Sequence, residues 1–289
     1  MIRLGSRFAA ALLASFVFIA EAGAQSYVPI AFPDQPVENA NELATGTAFG
    51  KPAGAGPFPA LVILESCSGA TADLRRWGQS AMAQGYVVMV VDSMGPRGST
   101  PRNCNVSPLI RIADAMNARA RLESFPFVDK ARIGVLGFSV GGHIAQIIAA
   151  DGTRRASPAP GMPALRPFAA AASIYGPCIG RTPNGMQGVF EDATGLNEPL
   201  LAQLGDADTQ ARPAECVPQY EKMKTAGADI DWVVYPGITH CFDCAGLNGM
   251  VAVDAIHGGS LLFRYDAEIT ATAEKRLFAF FAAKMKGGT

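Results

Sequence analysis

The chain has 289 residues, with 24 Lys and Arg against 25 Asp and Glu, and a formal net charge of −1 at neutral pH. That length holds one large α/β domain or two small ones and is enough to bury a full core. Charge near zero, without a basic stripe, excludes the electrostatic footprint of a nucleic-acid partner.

At the N-terminus, Arg3 and Arg7 flank the start of an apolar run over 8–20, and Ala22-Gly23-Ala24 follows. This reads as a secretory signal over 1–24, cleaved after Ala24, because the run is short for a membrane span and the small-x-small triplet suits a signal peptidase. The expected product is a mature domain over 25–289, periplasmic or secreted, with no membrane association after cleavage. All six cysteines lie in that mature region. An oxidising compartment permits disulfides, and the even count fits full pairing. Cys241-x-x-Cys244 has one histidine nearby and no second cysteine pair, so it does not form a zinc pattern. It also lacks the strand-to-helix setting of redox pairs. No metal and no organic cofactor are expected.

Beyond the signal, 42–49 is strand-like and 52–59 is a Pro/Gly-rich turn. Strands are then predicted at 60–64, 86–91 and 133–136, with helices at 74–84 and 109–124 between them. Residues 151–167 are rich in Ala, Pro, Arg and Gly and read as a surface loop. Strand-like 168–175 follows, then an aperiodic excursion over 178–197. A strand at 200–205, a helix at 217–226, a strand at 230–235 and a final helix at 267–286 complete the pattern. Short apolar runs separated by amphipathic helices predict a mostly parallel sheet covered on both faces. There is no internal repeat, and the fold class is a single doubly wound α/β domain.

The run Ile133-Gly134-Val135-Leu136-Gly137-Phe138-Ser139-Val140-Gly141-Gly142-His143 carries the chemistry. An apolar strand enters Gly-x-Ser-x-Gly and an apolar helix leaves it, which is the context of a nucleophile elbow. The turn strains the serine backbone and needs glycines where side chains would collide. Ligands in open α/β sheets sit beyond the carboxyl ends of the strands. Two later strand ends carry Gly205-Asp206-Ala207-Asp208 and Gly237-Ile238-Thr239-His240. The chain order Ser, Asp, His is that of α/β-hydrolases. A serine hydroxyl needs an imidazole to take its proton, and the imidazole needs a carboxylate to hold its tautomer. Ser139, His240 and Asp208 are the expected triad. Asp208 is preferred to Asp206 because it lies further past its strand. His143 is expected to pack against the sheet or face solvent, and His257 to lie in a loop. The oxyanion is expected to meet the amide of Val140 and that of Ser66 or Cys67.

On these residues the chain resembles the dienelactone hydrolase family of the α/β-hydrolase superfamily. The resemblance rests on Glu65 before the oxyanion loop, Val91-Asp92-Ser93-Met94-Gly95-Pro96-Arg97-Gly98, the elbow, Gly205 to Asp208, and His240-Cys241-Phe242. It departs at two places. The bacterial dienelactone enzymes carry a cysteine where this chain has Ser139, and an arginine where it has Asp243-Cys244. The resemblance implies a substrate-binding role for Arg97 and for Glu65. Glu65 is read either as a hydrogen-bonding partner within the oxyanion loop or as a loop anchor. The implied fold also suggests disulfides Cys67–Cys104, Cys178–Cys216 and Cys241–Cys244. The expected function is an exported serine hydrolase that cleaves small carboxylic esters through an acyl-enzyme. The alternatives are a lactonase acting on small anionic lactones and an inactive binding protein of the same fold. The sequence gives no oligomeric state.

Overall fold

Continuous apolar runs with no alternation have no face to give to water, so they become central strands covered on both sides. Ala60 to Leu64 is such a run, and none of its residues is more than 3 % exposed. The computed structural model describes residues 27–150, 163, 164, 166–179, 190, 193–254 and 256–285. The expected signal segment, most of the loop at 151–167 and most of the excursion at 178–197 lie outside the described residues.

Seven strands form the main sheet: β1 (Ala48–Gly50), β2 (Phe58–Leu64), β3 (Val87–Val91), β4 (Val128–Phe138), β5 (Ala171–Ile174), β6 (Leu200–Gly205) and β7 (Ile230–Tyr235). Their order is β1-β3-β2-β4-β5-β6-β7. All neighbouring pairs are parallel except β1 with β3. Among the described residues, five α-helices surround it: α1 (Ala72–Ala83), α2 (Pro108–Glu123), α3 (Val140–Ala149), α4 (Pro213–Thr225) and α5 (Ala267–Lys284). α1 and α5 share one face and are bridged by Arg76 Nη1 donating to Glu274 Oε2 at 3.1 Å. α3 and α4 meet on the other, where Tyr220 Oη donates to Gln146 Oε1 at 2.9 Å. The doubly wound α/β expectation holds. Among the described residues no helix is long and apolar enough to cross a membrane.

Several boundaries differ from the sequence expectation for identifiable reasons. The strand expected at 42–49 shrinks to β1, and its expected first residue instead closes a 3-10 turn, Ala40–Glu42, whose Asn41 amide is capped by the Asn39 side chain. β4 extends beyond 133–136 at both ends. α4 starts at Pro213, four residues early, since proline suits a first helical turn and leaves no amide unpaired there. A hairpin of β8 (Val251–Val253) and β9 (Ser260–Leu262) was not anticipated.

The chain passes from β2 outward to β3, then back across to β4 on the other side. This reversal opens a crevice beyond the ends of β2 and β4, where doubly wound sheets take their ligands. The loop carrying Glu65 to Gly69 and the turn at Ser139 both end there.

Candidate active site

Ser139 follows β4 and precedes the first residue of α3, with φ 52° and ψ −117°. A non-glycine residue at positive φ is strained, and the surrounding packing over-determines it. A Cβ on Gly137 would lie 1.9 Å from the Gly141 carbonyl oxygen, and one on Gly141 would lie 2.5 Å from that of Leu64. Neither backbone can yield, so both positions require glycine. The turn is therefore as tight as the motif demands, and it holds the Ser139 side chain in a fixed direction.

That direction is toward His240. Ser139 Oγ lies 2.8 Å from His240 Nε2, and His240 Nδ1 lies 2.7 Å from Asp208 Oδ2. All three side chains are buried. The two oxygens of Asp208 are divided between two tasks. Oδ1 accepts the amides of Gln210 at 2.8 Å and Ala211 at 3.0 Å, which fixes the carboxylate, while Oδ2 is left to the imidazole. Asp206 faces elsewhere, and its Oδ1 accepts the Gly237 amide at 2.5 Å. Of the two aspartates after β6, the one against the imidazole is Asp208.

The imidazole of His240 is held on further sides. Tyr175, itself at φ 40°, meets it edge-on with ring centroids 4.9 Å apart. Tyr175 Oη donates to Asp243 Oδ1 at 2.7 Å, and Trp77 Nε1 donates to Asp243 Oδ2 at 2.6 Å. Burial, and then the neighbouring Asp243 carboxylate, push the Tyr175 phenol well above its ordinary range, so it stays a donor. The place where the cysteine enzymes carry an arginine thus holds a buried acceptor that braces the histidine's neighbour. Sequence reading missed this brace, although Tyr175 at a strand end was its available signal. The bridge Cys241–Cys244 follows His240 directly. With both sulfurs joined, the grouping of Cys241, Asp243 and Cys244 offers no thiolate to a metal.

Val140 opens α3, so its amide has no partner within the helix. Ser66 and Cys67 line the same cavity as Ser139 and His240. Their loop is closed by the Gly69 amide donating to the Ser66 carbonyl at 3.0 Å. Cys67 is bridged to Cys104, which ties this loop to the one after β3. The remaining bridge joins Cys178 to Cys216, so the three pairings are those implied by the resemblance.

Glu65 and Arg97 are not among the residues lining that cavity. Glu65 is buried, and its Oε1 accepts Arg111 Nη1 at 2.5 Å and the Ser93 amide at 3.2 Å. Burial pushes its carboxyl up, and the Arg111 guanidinium pulls it back toward the ionised form. Its contacts are those of a loop anchor. Arg97 forms a two-pronged pair with Asp114, at 2.7 and 3.0 Å, and also donates to the carbonyls of Ser93 and Val28. The arginine at the cavity is Arg102, on the loop that carries Cys104. His143 is buried, with Nδ1 2.8 Å from the Pro177 carbonyl oxygen. Burial lowers its pKa to about 4. His257 lies in the β8–β9 turn with Nε2 2.8 Å from Glu215 Oε1.

The cavity itself measures about 300 Å³, with Ser139 and His240 among its walls. The sequence from 45 to 285 matches the dienelactone hydrolase family. The chain belongs to that family. Two curated relatives are described as putative carboxymethylenebutenolidases. The one from Methylorubrum extorquens is 25 % identical over 203 residues, spanning 66 % of this chain and 65 % of that protein. The one from Yersinia pestis is 23 % identical over 199 residues, spanning 65 % of this chain and 70 % of the relative. Among solved structures, a putative dienelactone hydrolase from Klebsiella pneumoniae superposes with a TM-score of 0.61 at 20 % identity, covering 82 % of this chain and 92 % of that one. Esterase 2 of Thermogutta terrifontis, solved phosphorylated by paraoxon, gives 0.62 at 20 % identity, covering 87 % and 92 %. At these identities the structural likeness shows the fold.

Proposed function

We propose that this protein is an exported serine hydrolase that cleaves carboxylic esters through a covalent acyl-enzyme. The observation that carries this reading is the unbroken chain of two short contacts from Ser139 Oγ through His240 to Asp208 Oδ2. In the reaction, His240 Nε2 takes the Ser139 proton as Oγ bonds to the ester carbonyl carbon. Asp208 keeps the remaining proton on Nδ1 and stabilises the imidazolium that forms. The amide of Val140 and that of Ser66 or Cys67 receive the charge that develops on the carbonyl oxygen. Collapse breaks the carbon–oxygen bond to the alcohol, which leaves with the proton from Nε2. Water, deprotonated by the same nitrogen, then attacks the acyl-serine and releases the acid. No step calls for a metal or an organic cofactor.

Three buried or half-buried disulfides and the N-terminal sequence pattern support export to the periplasm or beyond. Arg97, to which the resemblance assigns a substrate carboxylate, is paired with Asp114 and lies outside the cavity wall, so it gives no support to a preference for small anionic lactones. The test is turnover of p-nitrophenyl butyrate by the wild-type protein and by Ser139→Ala. Turnover in the wild type that disappears in the folded variant supports the proposal, and equal turnover in both would refute it.

A further inference from the structure

The cavity beside Ser139 has two unlike walls. One is polar and comes from the loop after β3, where Arg102 and Asn103 flank the Cys67–Cys104 bridge. The other comes from the segment around the β8–β9 hairpin and contributes Met250, Ala252, Val253, Leu261 and Phe263. Ala252 and Leu261 are opposite one another in the ladder, and both face the cavity. At the rim, Met250 is 50 % exposed. Large apolar side chains gathered at the mouth of a cavity mark a surface that a ligand covers.

The hairpin is held at both ends. At its base, Phe263 forms a β-bridge with His240, and the Arg264 amide donates to Thr239 Oγ1 at 2.9 Å. At its tip, His257 Nε2 meets Glu215 Oε1 of α4 at 2.8 Å, and Asp254 Oδ1 accepts the amides of Ile256 and His257. The apolar wall is therefore fixed beside the imidazole. In ester cleavage the departing alcohol must receive its proton from His240 Nε2, so the alcohol half of the substrate occupies the histidine's side of the site.

We infer that the β8–β9 hairpin is the binding wall for the alcohol portion of the substrate, and that it selects esters of apolar alkyl or aryl alcohols over methyl esters. This rests on the serine-hydrolase reading above and adds the substrate class to it. Each methylene seated against the wall raises kcat/KM by about threefold, the order expected for apolar burial in a partly open site.

The experiment measures kcat/KM for methyl, butyl and hexyl acetate and for the methyl esters of acetic, butanoic and hexanoic acid. It also follows labelling of Ser139 by a fluorophosphonate. The variants are Ala252→Asp and Met250→Ser, both at exposed positions where the fold tolerates a polar side chain. The expected result is a rise of roughly two-hundredfold from methyl to hexyl acetate in the wild type, five methylenes at about threefold each, with a flatter acyl series. The hexyl-to-methyl ratio should then fall about tenfold in Ala252→Asp and less in Met250→Ser. A labelled wild type whose alcohol series is flat, or whose ratio survives both substitutions, overturns this inference alone. A wild type that neither turns over nor takes the label overturns the hydrolase reading and this inference with it.

Discussion

Two histidines of this chain sit against carboxylates at nearly the same distance. His240 Nδ1 is 2.7 Å from Asp208 Oδ2, and His257 Nε2 is 2.8 Å from Glu215 Oε1. The difference is what the other nitrogen faces. That of His240 reaches the Ser139 hydroxyl at 2.8 Å, whereas that of His257 lies 3.5 Å from a second carboxylate, Asp254. An imidazole between a hydroxyl and a carboxylate can accept a proton from one and be stabilised by the other. An imidazole between two carboxylates has no proton to collect from them and acts as a bridge. Burial alone would raise the Asp254 carboxyl, but the amides of His257 and Ile256 and then the imidazole hold it below the usual range. Pairing distance is thus a poor guide to chemistry, and the third group decides.

Breaking each pair should give very different results. Replacing His240 by Ala should lower kcat for a short p-nitrophenyl ester by about 10⁴-fold or more, since the serine loses its base. Replacing Glu215 by Gln should change the same rate by less than about tenfold, because the hairpin anchor weakens while the triad stays intact. Steady-state kinetics on the two purified variants makes the comparison, and equal losses would contradict the distinction drawn here. The acid sharpens it. Asp208→Asn should cost about 10²- to 10⁴-fold in kcat by misorienting the imidazole, while Asp206→Asn should cost less than about threefold.

Stability offers two further contrasts. Removing the Cys67–Cys104 bridge as a double alanine variant should cost about 3–4 kcal/mol in urea unfolding, from the 37-residue separation it closes. The same variant should raise KM, because the polar wall of the cavity hangs on that bridge. His143 gives a smaller, pH-dependent effect. Burial lowers its folded pKa to about 4 from an ordinary 6.5, so between those values the unfolded chain binds a proton that the folded one refuses. Stability from this residue is present above pH 6.5 and is lost as pH falls toward 4, by up to about 3 kcal/mol. Glu65, raised by burial, acts in the opposite direction as pH climbs above the ordinary carboxylate range. The readout is therefore the difference between wild type and His143→Gln across pH 4 to 7, and a difference that does not change over that range would remove this assignment.

The parts of the molecule readable in the sequence are those fixed by local chemistry. Gly137 and Gly141 are required by backbone atoms only a few residues or one strand away, so the elbow can be read from one short segment. β3 is an unbroken apolar run and β2 is one from Ala60 on, and Asp208 and His240 follow neighbouring strands of the sheet. What escaped reading are partnerships made only in three dimensions. Arg111 reaches Glu65 across 46 residues, and Trp77 reaches Asp243 across 166. Nothing in either neighbourhood announces its partner. Arg97 had a plausible role by resemblance, but no local feature indicated that Asp114 would occupy it. The hairpin was hidden because its strands are three residues long and leave Val251 and Val253 in water, which removes the alternation that marks a strand.

The central claim is that Ser139 is a nucleophile activated through His240. The most direct measurement is the mass of the intact protein after treatment with a fluorophosphonate, with the adduct mapped by peptide. The account predicts one adduct per wild-type chain, located on Ser139, and its loss in His240→Ala. A folded wild-type protein that takes no adduct, or takes it on a residue other than Ser139, would contradict it.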